Sequence, residues 1–142
     1  MKDKHLFSRG RSLLFVCYGN TCRSPMAEGL AKKIWGSNIR IEGAGIYPAF
    51  EGAAGPAVQV MRELYEVDIS SHLPRHIDDV VPELFDRIIV LDAVVHEFLK
   101  KRGVIPLEKL VLRPVDDPFG RDLEAYRQSA LQIQLLIKNL ND

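Results

Sequence analysis

Cysteine occurs twice in this chain, at Cys17 and Cys22, and both lie in one stretch, Cys17-Tyr18-Gly19-Asn20-Thr21-Cys22-Arg23-Ser24-Pro25. A thiolate is a strong nucleophile, and the planar guanidinium of an arginine grips two phosphoryl oxygens at once, which lysine does not reproduce. Cys17 followed closely by Arg23 therefore points to covalent chemistry on a phosphate. The connection is tight, and Gly19 and Asn20 are expected to supply its unusual backbone angles. Once wound, its N–H groups converge at the positive end of the following helix, a ready anion site. The same groups favour the thiolate of Cys17, and Ser24 is placed to donate a further hydrogen bond to that sulfur.

Other uses of these residues fit less well. The stretch lacks G-x-x-x-x-G-K-[ST], so it is not a nucleotide-binding P-loop of that type. C-x4-C with no second pair is not a zinc signature, and two cysteines make no disulfide framework, so no metal or cofactor is expected. Taken singly, a cysteine is often a small buried hydrophobe and Ser24-Pro25 only a helix start. Glu28 falls one place too late to close a capping box. The combination between a strand and a helix carries the reading.

Transfer of phosphate to a thiolate also requires a proton for the leaving group. Asp117, within Val115-Asp116-Asp117-Pro118-Phe119-Gly120, is the best candidate. Pro118 biases it towards extended backbone, and a loop there suits a mobile acid. Asp116 competes, and spacing alone does not choose between them. His72 has two readings: a brace hydrogen-bonded to Asn20, or a surface histidine in a polar turn. His5 and His96 read as tail and helix-surface residues, and Trp35 as core.

The elements that must position these residues alternate along the chain. Apolar runs predict strands at 13–17, 39–43, 87–91 and within 107–112. Helical patterns cover 25–35 (Pro25 first, Met26, Leu30 and Ile34 on one face), 56–67 (Val60, Met61, Leu64), 79–84, 94–101 and 123–140 (Tyr126, Leu131, Leu135). This order predicts a single α/β domain with a four-stranded parallel sheet flanked by helices on both faces. Ligands in such folds sit at the carboxyl ends of the strands, where both Cys17 and Asp92 fall.

Hydrophobic residues make up 46% and charged residues 27%, an ordinary globular balance. Lys+Arg and Asp+Glu are equal at 19 each, so no overall field holds nucleic acid or an anionic membrane. Residues 1–12 read as a mildly basic tail without the apolar core of a signal peptide, and 13–142 as the domain. A cytoplasmic location is expected, where both cysteines are thiols.

Residues 16–28, VCYGNTCRSPMAE, together with Asp117-Pro118-Phe119, make the chain resemble the low-molecular-weight protein tyrosine phosphatase family. The order of elements agrees from about residue 13 to 140. The resemblance implies Cys17 as nucleophile, Arg23 as phosphate binder, Ser24 as thiolate stabiliser and Asp117 as general acid, then base. It implies that Asn20 and His72 shape the loop, and that Cys22 forms a protective disulfide with Cys17 under oxidation. The implied partner is a phosphorylated protein, and phosphotyrosine, the family's commonest substrate, comes first.

Two departures bear on the substrate. Members acting on phosphotyrosine usually carry Ile where Thr21 stands, and Thr there is similar to the bacterial protein-arginine phosphatase branch, as is Asp-Pro-Phe-Gly at 117–120. Protein-arginine phosphatase is therefore the alternative. The loop at 45–55 lacks the Trp that many tyrosine phosphatases use as a pocket wall, so Tyr47 or Phe50 is expected to replace it, with Tyr18 and Phe119 as the other walls. The related arsenate reductases need further cysteines to pass a disulfide outward, which ranks that activity third. A non-catalytic phosphate-binding module ranks below the enzymes, because nucleophile, cradle and acid are all present.

Overall fold

The computed structural model describes residues 11–140. Four strands, β1 (Ser12–Cys17), β2 (Arg40–Gly45), β3 (Arg87–Val90) and β4 (Leu110–Leu112), form one parallel sheet in the order β2-β1-β3-β4. Four helices, α1 (Arg23–Trp35), α2 (Gly55–Tyr65), α3 (Ala93–Arg102) and α4 (Leu123–Lys138), alternate with them. The expected class and strand count therefore hold.

Successive strand side chains point to opposite faces, and β1 splits on that rule. Leu13, Phe15 and Cys17 join the core beneath α1, α2 and α4, while Leu14 and Val16 join the core beneath α3. All five sit at or below 2% exposure, so β1 is buried on both sides. This is why its sequence reads as a continuous apolar run rather than an alternating one. Among the described residues no helix is long and apolar enough to cross a membrane.

Several local expectations are corrected. Helix α1 starts at Arg23, two residues before Pro25, because the wound loop delivers Cys22 as its cap. Pro25 is still tolerated in the first turn, where its missing N–H would have no helical partner. Ile34, Leu64, Leu131 and Leu135 are exposed. In α4 the buried stripe is Tyr126, Ala130, Ile133 and Ile137. That follows the helical period, whereas Leu131 lies five positions, about 140° of rotation, from Tyr126. Strand β2 runs on to Gly45. The helix expected at 79–84 is instead two 3₁₀ turns, Ile77–Asp79 and Pro82–Leu84. They are separated at Val80 and Val81, and the proline after Val81 disfavours helix there. The run 107–112 divides into a 3₁₀ turn, Leu107–Lys109, and β4. Ser12 already belongs to β1; residues 1–10 of the expected tail, with His5, lie outside the described residues.

The sheet meets the loop that follows Cys17 at Gly45, the partner of Cys17 across the β1–β2 ladder. A Cβ here would lie 2.8 Å from Asn20 N, Gly19 C and Tyr18 O, all backbone atoms that have nowhere to move. Gly45→Ala is expected to destabilise by about 1–3 kcal/mol through overpacking. The reading is a Tm lower by several degrees, and an unchanged Tm would mean that the loop shifts freely.

Candidate active site

The chain leaves β1 at Cys17 and turns through residues 18–22 into α1. Of the two residues expected to adopt unusual angles, only Asn20 takes a left-handed conformation, with φ 53°. Gly19 does not, and a Cβ there would meet Thr21 and Tyr47 only at ordinary van der Waals distances of 3.4–4.0 Å.

Asn20 organises the loop from within. It is fully buried. Its backbone N–H donates to Cys17 Sγ at 3.2 Å, and its Nδ2 donates to Ser24 Oγ at 2.6 Å. Ser24 Oγ lies 3.0 Å from Cys17 Sγ. Since Ser24 accepts from Asn20, its own proton is free to point at the sulfur, which suits a thiolate. Asn20 Oδ1 accepts from the backbone N–H of Arg75 at 2.9 Å, and its carbonyl accepts from His72 Nε2 at 2.8 Å. His72 is thus a brace, as one of its two readings had it.

The helix starts differ in how they are capped, and α2, like α1, has neither a side-chain cap nor an acidic residue in its first turn. Asp92 caps α3 and Asp122 caps α4, each accepting from backbone N–H groups. Helix α1 has no side-chain cap and no acidic residue in its first turn. Its positive end is therefore available to an anion above Cys17.

Arg23 is 3% exposed. Its Nη1 donates to Leu91 O (3.2 Å), Asp92 Oδ2 (3.0 Å) and Val115 O (3.1 Å), and so is saturated. Its Nη2 lies 3.5 Å from Asp117 Oδ2. Asp116 is turned away, with its Oδ2 accepting from Gln132 Nε2 at 2.9 Å. The competition between the two aspartates that spacing left open is thus resolved in position: Asp117 faces the pocket. Burial works to raise the Asp92 carboxyl, but hydrogen bonds from Arg23 and from the Val94 and Val95 N–H groups outweigh it and hold the group below the usual carboxylate range.

Cys17, Arg23 and Asp117 line a pocket of about 220 Å³. Two tilted aromatic pairs wall it, Tyr18–Tyr47 with centroids 5.8 Å apart and Phe50–Phe119 at 5.3 Å. Gly19, Thr21 and Cys22 complete the lining near Cys17 and Arg23. Both cysteines are free thiols. Burial pushes Cys22 up to about 11, partly offset by the Tyr126 phenol 3.5 Å away, so Cys22 stays protonated at neutral pH. Among the described residues no three His, Cys, Asp or Glu side chains gather as a metal would require.

A family model described as low molecular weight phosphotyrosine protein phosphatase matches residues 12–141. The chain belongs to this family. A protein-arginine-phosphatase of Bacillus subtilis is 30% identical over 141 residues, spanning 90% of this chain and 93% of the relative. An arsenate reductase of Staphylococcus xylosus is 29% identical over 130 residues, 91% and 95% of the two chains. Among solved structures, a low molecular weight protein tyrosine phosphatase from T. tengcongensis superposes with a TM-score of 0.84 at 30% identity, covering 92% of this chain and 97% of that one. A mutant of YwlE from Bacillus subtilis gives 0.83 at 26% identity, covering 93% and 97%.

Every residue singled out within the family motifs is brought to one place: Asn20, Ser24 and His72 behind the floor, the others around the pocket. Asp92 was legible only as a strand-end residue, and its partnership with Arg23 had no signal beyond that. The link from Arg75 to Asn20 runs through a backbone N–H, which leaves no trace in residue type.

A carboxylate held below its ordinary range adds stability above its unfolded-state pKa and loses it as pH falls through the folded-state value. Asp92→Asn is therefore expected to lower Tm at neutral pH, with the gap to the parent protein closing below about pH 4. Thermal unfolding over a pH series reads this directly, and a gap that stays constant into acid would remove Asp92 as its source.

Proposed function

We propose that this protein is a protein phosphatase working through a phosphocysteine on Cys17, and that phosphoarginine is its favoured substrate. The phosphatase reading is carried by one arrangement. The Cys17 sulfur, hydrogen-bonded by Asn20 and Ser24, lies at the floor of the pocket that Arg23 and Asp117 border.

The thiolate of Cys17 attacks phosphorus, forming an S–P bond as the P–O or P–N bond to the substrate breaks. Asp117 gives its proton to the departing oxygen or nitrogen. The loop N–H groups, the α1 terminus and Arg23 Nη2 hold the phosphoryl oxygens as their charge redistributes. Water then attacks the phosphocysteine and passes a proton to the Asp117 carboxylate, releasing inorganic phosphate and restoring the thiolate. No group outside the protein and water is consumed.

Thr21 supports the choice of substrate. Its Oγ1 donates to Gly19 O at 3.0 Å and lines the pocket. With its proton so engaged, the hydroxyl oxygen presents lone pairs inward, an acceptor for a guanidinium N–H that a phenyl ring cannot use. The B. subtilis relative, matched over nine-tenths of this chain, is named for the same activity. Phosphotyrosine is the second reading, favoured by the aromatic walls, which accept a phenyl ring as readily as a stacked guanidinium. The arsenate reductase activity of other relatives is not proposed, because beyond Cys17 and Cys22 the chain has no cysteine to carry a disulfide outward.

Turnover of matched phosphoarginine and phosphotyrosine peptides tests both levels. Cys17→Ser should fold and show no turnover of either; residual activity would end the covalent mechanism. Thr21→Ile should reduce phosphoarginine turnover about ten- to hundredfold, the equivalent of one hydrogen bond to a charged group, and spare phosphotyrosine. A parent enzyme that prefers phosphotyrosine, with Thr21→Ile changing little, selects the second reading.

A further inference from the structure

The loop that carries Asp117 is fastened at its base. Val115 donates its N–H to Leu91 O at 3.0 Å and accepts from Arg23 at 3.1 Å. Asp116 is then gripped on three sides by α4. Its N–H donates to Gln132 Oε1 at 2.8 Å, its carboxylate accepts from Gln132 Nε2 at 2.9 Å, and its carbonyl accepts from Ser129 Oγ at 2.7 Å. Ser129 and Gln132 stand three positions apart, so they share the face of α4 that meets the loop.

We propose that Gln132 and Ser129 are positioning residues: by pinning Asp116 they turn the next side chain, Asp117, into the pocket. The proposal rests on Asp117 being the proton donor. Two adjacent aspartates present an ambiguity, since either carboxylate would be drawn towards the buried cation Arg23. Gln132 removes it by occupying the Asp116 carboxylate and its N–H together, a two-point grip that only a primary amide supplies. Ser129 adds the third bond from a fully buried position, where its hydroxyl would otherwise lack a partner. Both ends of the Asp116 residue are thereby fixed. The first rotatable residue beyond the grip is Asp117, whose Oδ1 accepts from Phe119 N–H at 3.1 Å while Oδ2 faces Arg23. Asp117 is thus aimed by contacts made on the far side of the loop from the phosphate site.

A misaimed acid harms substrates with poor leaving groups most, because these need the proton in the transition state, and leaves phosphate binding untouched. The test is steady-state kinetics of the full chain on p-nitrophenyl phosphate and phenyl phosphate, with inorganic phosphate as competitive inhibitor. Gln132→Ala should lower kcat about tenfold or more on phenyl phosphate and clearly less on p-nitrophenyl phosphate, with an unchanged phosphate inhibition constant. Asp116→Ala should repeat that pattern. Asp116→Asn keeps the carbonyl oxygen that Gln132 donates to, and should lose no more than about twofold. Equal losses on both substrates, no loss at all, or a weakened phosphate constant would overturn the positioning role. Asp117→Asn separates the two levels. If it shows the graded loss and Gln132→Ala does not, only the positioning role fails; if it shows none, the acid assignment fails and takes this inference with it.

Discussion

Arg23 places a permanent cation in an almost fully buried position, and a buried cation must be surrounded by acceptors or the fold is penalised by several kcal/mol. Its acceptors come from two separate pieces of chain. Leu91 O and Asp92 lie at the end of β3, Val115 O lies past the end of β4, and Asp117 closes the fourth direction. Satisfying one guanidinium therefore draws the loop at 115–117 and the β3–α3 turn against the loop that follows β1. Arg23 also stands in the first turn of α1, so the same side chain fixes where that helix points. The requirement of charge burial and the requirement of the site coincide in one residue.

The treatment of helix ends follows the same logic. Helices α3 and α4 begin with aspartates that neutralise their positive ends; α1 and α2 begin with none, and of these two only α1 starts at the Cys17 loop. An uncapped terminus beside a buried guanidinium concentrates positive potential at a point enclosed by low-dielectric walls. Inside that field the negative groups are divided. Asp92 is held by Arg23 and by backbone N–H groups as part of the frame, whereas Asp117 is half-exposed at the pocket. Two carboxylates near one arginine thus serve different ends because their other partners differ.

The walls are less particular than the floor. Paired aromatics at the mouth present flat, polarisable faces that stack on phenyl and guanidinium groups alike. Discrimination between such groups needs a directional polar contact, and the polar side chain nearest these walls is Thr21, whose hydroxyl donates to Gly19 O.

The sequence alone determined the alternation of strands and helices, the parallel sheet, and the grouping of Cys17, Asn20, Arg23 and Ser24, which fall within eight consecutive residues whose spacing sets their geometry. Local chemistry of that kind survives in the order of residue types. It was weaker for helix faces: Leu131 and Leu135 look suited to burial but stand outside the α4 stripe, because apolar character does not say which face meets the sheet. What only the tertiary structure decided are the contacts between distant segments. The choice of Asp117 over Asp116, the partnership of Asp92 with Arg23, and the hold of Arg75 and His72 on Asn20 all join residues more than fifty positions apart or depend on a helix that packs from elsewhere. Several of them run through backbone groups, which every residue carries, so side-chain identity alone could not announce them.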